Sequence, residues 1–179
     1  PKEISNGICS LNPNEDRLAF SVFMEIDEKG VVKDHRVEKS VIRTNERMTY
    51  DDVNKILEDN DQELINRYSA YVDDFRYMEK LSTILRNKRT SRGSIDFDID
   101  ESKITLDTNG KPIEIRIYER GVSDKMIEEF MLVCNETVAE YMNWNEIPFL
   151  YRVHEEPSVE KLLEFNEFIQ NFGYHLRGV

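Results

Sequence analysis

The dipeptide Asn109-Gly110 constrains the fold of this chain most, because it is a strong signal for a tight β-hairpin turn. The runs on either side of it, 103–107 and 113–118, have the pattern of short strands. An earlier stretch repeats this organisation: apolar side chains alternate over 18–26, a turn with Gly30 follows, and residues 31–43 return. The sequence therefore predicts two antiparallel hairpins.

Apolar residues at spacings of three and four predict about four helices. Thr49 and Asp52 form a capping box that opens the first, and the second ends in the basic residues Arg86, Lys88 and Arg89, which suit a helix C-terminus. The predicted helices cover residues 49–57, 62–88, 123–143 and 158–172, with Ser123 as a candidate cap and Gly173 as the final stop. Residues 1–16 are predicted to form a loop, and residues 148–153 are predicted to form a short buried strand. The fold class is α+β, with hairpins packed against these helices.

Composition and charge argue against nucleic-acid binding by this chain alone and against a membrane-spanning segment. The formal net charge is −12, which argues against nucleic-acid binding by this chain alone, since such proteins carry basic patches. No apolar run is long enough to cross a membrane, and no secretory leader is visible. Cys9 and Cys134 have no metal-binding spacing and are expected to be reduced thiols. The first residue is Pro1, so we expect a piece of a longer protein.

Three groups of polar residues could carry chemistry. Asp96, Asp98 and Asp100 alternate along a strand-like run, as metal ligands could, but their spacing fits a calcium loop poorly and favours a solvated strand face. Glu128 and Glu129 are helical neighbours about 100° apart, a spacing typical of surface charges. His154 is more typical of a hydrogen-bonded structural histidine than of a base or ligand. No self-sufficient catalytic motif is present.

Six strings along the chain carry a family resemblance: 1–11, 16–19, 41–43 with 48–50, 92–97, 127–135 and 151–157. Taken in this order, they resemble the RNB catalytic domain of the ribonuclease II/R family. Two of them, 92–97 and the run 154–157 within the last, look more like its ribonuclease R branch. Together the six strings span essentially the whole chain, and their order is more specific than any one of them.

The resemblance implies part of a 3′→5′ exoribonuclease that processively hydrolyses single-stranded RNA to nucleoside 5′-monophosphates, in the cytoplasm and with Mg²⁺. Residues 1–179 would be a partial RNB domain. The family's metal-binding aspartates would lie upstream of it, and the catalytic arginine and the basic RNA-binding OB and S1 domains downstream. The fragment itself is then expected to be inactive and to hold no metal or catalytic residue of its own.

By the same resemblance, three side chains are expected to contact RNA. Tyr50 matches a tyrosine that lines the channel near the 3′ end, Phe97 an aromatic ring that stacks on bases, and Glu128 a glutamate that contacts the terminal nucleotide. Asp96, Asp98 and Asp100 keep their structural interpretation. The alternative is an acidic protein-interaction module without catalytic activity.

Overall fold

The computed structural model describes residues 1–95 and 101–176. The chain divides into two compact units, 1–145 and 146–179. The first holds strands β1 (Asp16–Ile26), β2 (Val32–Arg43), β3 (Glu101–Leu106) and β4 (Pro112–Tyr118), with helices α1 (Tyr50–Leu57), α2 (Gln62–Arg67), α3 (Val72–Ser91) and α4 (Val122–Trp144). The second holds α5 (Val159–Gln170). The predicted α+β class is confirmed.

Both predicted hairpins form, and their turns have the same hydrogen-bond pattern. In each, an aspartate side chain accepts two backbone N–H bonds across the turn: Asp27 Oδ1 from Lys29 and Val31, Asp107 Oδ1 from Asn109 and Lys111. A glycine with positive φ follows, Gly30 at 74° and Gly110 at 79°. Glycine adopts this conformation most readily, so the turn residues favour the antiparallel register of both strand pairs.

The core of the first unit lies among the helices. Its buried side chains come from α1, α3 and α4 and from the residue that follows α2: Val53, Ile56, Tyr68, Val72, Phe75 and Met126. The first hairpin packs against α4, where the Thr137 hydroxyl lies 3.4 Å from Met24 Sδ and His35 meets the Tyr141 ring edge-on. Burying these apolar faces is the main favourable term in folding.

The helix predicted over 62–88 is two helices. Tyr68 leaves helical backbone geometry at φ −105° and ψ 25°, and Tyr71 N–H donates to Tyr68 O at 2.8 Å, which closes a turn. α2 packs against α1, whereas the main partner of α3 is α4. One straight helix cannot follow both partners, so the chain turns between them.

Three smaller predictions are corrected. Residues 1–16 contain a short π-helical segment, Glu3–Ile8. Gly121, not Ser123, occupies the cap of α4. The run 148–153 is no strand: within the described residues it has no partner strand to supply a hydrogen-bond ladder, and Leu150 and Val153 are exposed. Ser158 does cap α5, where its hydroxyl accepts from Lys161 N–H at 3.3 Å.

None of the helices in the described part of the chain has the length and apolar character needed to cross a membrane.

Candidate functional site

Tyr50 is the first residue of α1, where the Thr49 hydroxyl caps the helix by accepting from Asp52 N–H at 3.1 Å. The Tyr50 ring is half-exposed, whereas its carbonyl accepts a hydrogen bond from the buried Ser123 hydroxyl at 3.1 Å. Ser123 lies in the first turn of α4. The start of α1 is therefore tied to the start of α4, which fixes the backbone of Tyr50.

Two side chains, Asn54 in α1 and Glu58 directly after it, strengthen this tie. Asn54 Oδ1 accepts from Ser123 N–H at 2.8 Å, and Glu58 Oε1 accepts from Val122 N–H at 2.6 Å. The first N–H groups of a helix have no partner within it. α1 thus supplies acceptors that α4 lacks, and the carboxylate near the N-terminus also suits the helix dipole.

Glu128 lies farther along α4 and is partly exposed. One carboxylate oxygen forms an ion pair with Arg120, and the other lies 3.7 Å from Arg89 Nη2. Two guanidinium groups from different segments therefore flank the carboxylate. Their contacts limit the rotation of the carboxylate.

Tyr50 and Glu128 line one open cavity of about 320 Å³. Its lining is Tyr50, Tyr118, Arg120, Asp124, Ile127, Glu128, Met131, Leu132 and Asn135. A second cavity of about 580 Å³ shares Tyr50 and Ile127 and is otherwise mainly apolar, with Val53, Phe75 and Met126 in its wall. The first volume is at the small end of the range for small-ligand sites.

Within the first cavity, the Tyr118 hydroxyl donates to Asp124 Oδ1 at 2.7 Å. This hydrogen bond, together with burial and the negative charge of Asp124, raises the pKa of Tyr118 to about 12. Asp124 Oδ2 also accepts from Gly121 N–H at 3.1 Å. Tyr118 therefore anchors β4 to the first turn of α4.

The side chains around this cavity favour a particular kind of ligand. Apolar Ile127 and Met131 and the Tyr50 ring can pack against a planar group. The Glu128 carboxylate can accept hydrogen bonds from hydroxyl groups. Together these groups suit a base and a sugar.

Of the three residues expected to contact RNA, the structure brings Tyr50 and Glu128 together. Phe97 lies outside the described residues, as do Asp96, Asp98 and Asp100. The proximity of Tyr50 and Glu128 is a geometric result, and their contact with RNA stays a prediction.

The interpretation of Glu129 as a surface charge is wrong. Its side chain is 4% exposed and is held by Arg89, whose Nη2 lies 2.6 Å from Glu129 Oε1. Burial is possible because Arg89, on α3, neutralises the charge where the two helices pack. The sequence showed the basic end of α3, but nothing in it showed which acid would face that end.

The remaining candidates from the sequence are His154, the two cysteines and possible metal ligands. His154, in the second unit, is exposed, and its Nδ1 lies 2.8 Å from Glu155 O. Both cysteines are free thiols, as expected. Over 1–95 and 101–176, no three histidine, cysteine, aspartate or glutamate side chains come together in a way that could hold a metal ion.

Several known proteins are similar to this chain in sequence and in fold. The chain is 44% identical over 178 residues to "Ribonuclease R 1" of Lactococcus lactis subsp. lactis, which covers 99% of this chain and 22% of that protein. It is 43% identical to "Ribonuclease R" of Thermotoga maritima, over 97% of this chain and 24% of that protein.

A structure of Mycoplasma genitalium RNase R in complex with ribose-methylated single-stranded RNA matches with a TM-score of 0.80 and 32% identity. That match covers 97% of this chain and 27% of the solved one. The chain thus spans about a quarter of the length of these relatives. The family model of the RNB domain matches residues 1–177, and the chain belongs to the RNB domain family.

Proposed function

We propose that this chain is part of a 3′→5′ exoribonuclease that processively hydrolyses single-stranded RNA to nucleoside 5′-monophosphates, and that the Tyr50–Glu128 cavity receives the 3′-terminal nucleoside. The observation that carries the site is that these two residues, from different helices, line one cavity. The ribonuclease R relatives and the RNA complex of the Mycoplasma enzyme support the activity.

The cavity would act by positioning the RNA end. The Tyr50 ring would pack against the terminal base or sugar, and its hydroxyl can donate or accept a hydrogen bond. Glu128, flanked by Arg89 and Arg120, would accept from a ribose hydroxyl. The 2′-hydroxyl is the group that distinguishes RNA from DNA, so this contact would favour RNA.

Magnesium dependence belongs to the proposal, but the described residues do not fit a metal centre, because they contain no suitable trio of ligands. The magnesium ligands would come from residues outside 1–95 and 101–176. Treatment with EDTA should therefore abolish RNA degradation by the complete reading frame. Unchanged degradation in EDTA would refute the magnesium dependence alone.

The test uses the complete reading frame that encodes this chain, with single-stranded RNA labelled at either end. We expect stepwise loss of 3′ nucleotides and release of nucleoside 5′-monophosphates. Tyr50→Ala and Glu128→Gln should each lower kcat/KM roughly tenfold, the order of one base or sugar contact.

Two matched variants control for general effects of substitution. Tyr77→Ala removes an exposed tyrosine of α3, and Glu140→Gln removes an exposed carboxylate of α4; neither lines the cavity. Both should retain wild-type activity. Internal cleavage, or equal loss of activity in the controls, would contradict the proposal.

The isolated 179-residue chain should leave 3′-labelled RNA intact. Its net charge of −12 opposes phosphate, so RNA binding should be weak and should weaken further as salt rises. A filter-binding assay checks this, and tight, salt-insensitive binding would be the contrary result. The alternative of an acidic protein-interaction module gains no support from the relatives, and it predicts no RNA degradation by the complete reading frame.

A further inference from the structure

A further cavity, of about 270 Å³, lies at the second hairpin. Its lining is Asp51, Lys103, Arg116, Ile117, Tyr118 and Glu119. It shares Tyr118 with the Tyr50–Glu128 cavity, and Asp51 directly follows Tyr50 in α1. The two cavities are therefore neighbours, which meet at the Tyr118 side chain and at the start of α1.

Two cations of this cavity face each other across the hairpin. Lys103 in β3 is the register partner of Arg116 in β4, so both side chains leave the same face of the strand pair. Lys103 Nζ also lies 5.4 Å from the centre of the Tyr118 ring, which is on that face too. Like charges directly opposite each other destabilise a strand pair. The stability of the hairpin therefore does not explain why both residues are basic.

The two cations are not neutralised by neighbouring acids. Among the side chains that the structure describes, no carboxylate forms an ion pair with Lys103 or Arg116, although Asp51 and Glu119 line the same cavity. Both cations are exposed. A chain with a net charge of −12 thus presents two unpaired cations side by side, next to the candidate site.

A phosphate group is the ligand that fits these two side chains. A guanidinium group binds phosphate through two parallel N–H bonds, and the ammonium group of a lysine adds a compact positive charge. Every nucleoside of an RNA strand is joined to the next by a phosphate. A strand whose 3′ nucleoside occupies the Tyr50–Glu128 cavity therefore carries phosphates close to that cavity.

We infer that Lys103 and Arg116 bind one backbone phosphate of the RNA strand whose 3′ nucleoside occupies the Tyr50–Glu128 cavity. This inference rests on the proposed function and adds an anion-binding part to the same site. The phosphate would separate the two positive charges and remove the repulsion between them.

The test locates this phosphate with the complete reading frame that encodes this chain. Single-stranded RNAs are made with one uncharged methylphosphonate at the second, third, fourth or fifth linkage from the 3′ end. The first linkage, which is hydrolysed, keeps its normal phosphate. The enzyme concentration that gives half the maximal single-turnover rate for removal of the first nucleotide then reports on binding of each RNA.

In the wild type, one of the four neutral linkages should raise this half-maximal concentration roughly fivefold at low salt, the order of one exposed charge contact. Lys103→Gln/Arg116→Gln should raise it by a similar factor for the normal RNA, and the same neutral linkage should then add no further effect. Because the two side chains are exposed and repel each other, this variant should fold like the wild type. Arg116→Gln alone should show part of the effect, and it decides the question should the double variant not fold.

The matched control is Lys39→Gln/Lys111→Gln, which removes two positive charges from exposed lysines that line neither cavity. It should keep the wild-type values, including the effect of the neutral linkage. An equal rise for the normal RNA in this control would overturn the inference, because it would show an effect of net charge alone.

Two other results would also overturn the inference while leaving the proposed function intact. One is a neutral linkage that has the same effect in the wild type and in Lys103→Gln/Arg116→Gln. The other is inhibition by a nucleoside 5′-monophosphate that the double variant loses while the linkage effect stays, which would assign the two cations to the released product. A wild-type protein that degrades no RNA would overturn both the inference and the proposed function.

Discussion

At the scale of single residues, Tyr118 shows how one hydrogen bond in the wall of the candidate site changes the pKa of its donor. Its hydroxyl donates to Asp124, and the phenolate form would face the negative charge of that carboxylate. The neutral form is therefore favoured in the folded protein, and the pKa of Tyr118 is raised from 10.0 to about 12.

This shift predicts that the stability of the folded protein decreases at high pH. Because the folded pKa lies above the unfolded one, the contribution of Tyr118 to stability is complete below about pH 10. It is lost as the pH rises towards 12. The difference in melting temperature between wild type and Tyr118→Phe should be largest at neutral pH and should shrink above pH 10.

The difference between the phenolate absorbance titrations of these two proteins isolates Tyr118 and should have a midpoint near 12. Asp124→Asn keeps a hydrogen-bond acceptor but removes the charge, so it should lower that midpoint. A difference curve centred near 10 in the wild type would mean that the hydrogen bond to Asp124 is not formed.

Glu129 and Arg89 show why part of the site escaped prediction from the sequence. Two adjacent glutamates in a helix have the spacing of surface charges, and the basic end of α3 was explained by the helix dipole. Only the packing of α3 on α4 brings Arg89 to Glu129. A pairing between distant residues leaves no local periodic signal, so it could not be found without the fold.

At the scale of elements, the sequence predicted the structures that depend on neighbouring residues. It did not predict those that depend on a packing partner elsewhere in the chain. The hairpins and the Thr49 cap depend on a few neighbouring residues, and the structure has them as predicted. The break near Tyr68 is marked by no proline or glycine, and it arises because α2 and α3 have different partners. The run 148–153 has strand-like composition, yet a strand requires a second strand beside it.

The contact between α1 and α4 can be tested at Gly121, the cap of α4. A Cβ atom at this position would overlap the Asn54 side chain, whose oxygen accepts from Ser123 N–H. Gly121→Ala should therefore lower the free energy of unfolding by about 1–3 kcal/mol, the usual cost of overpacking. Urea denaturation of the isolated chain would measure it, with an unchanged m value.

Gly7→Ala is the matched control, because no atom lies within 4 Å of a Cβ built there. The same chemical change should cost much less at that site. If alanine at 121 costs no more than alanine at 7, Asn54 does not hold the position that ties α1 to α4. The Tyr50–Glu128 cavity would then lack its main structural support.

At the scale of the whole molecule, exposed apolar side chains gather on one face of the first hairpin. Leu18 is 88% exposed and Phe20 73%, and both lie on one face of β1. Val41, directly opposite Leu18 in the hairpin, is 64% exposed. These three residues form a contiguous apolar patch, and such patches promote association.

The patch predicts self-association of the isolated chain. The mass measured by light scattering should rise with protein concentration, since burying this patch against another molecule removes apolar area from water. Leu18→Thr/Phe20→Glu should stay monomeric over the same range. Phe20 lies opposite Lys39, so the new glutamate faces an opposite charge across the strands. Because the substituted side chains are exposed, stability should change little.

Ile8→Glu removes an apolar residue that is 77% exposed but lies outside the strands, and this control should associate like the wild type. Equal masses for the wild type and the double variant at every concentration would show that the hairpin face does not drive association.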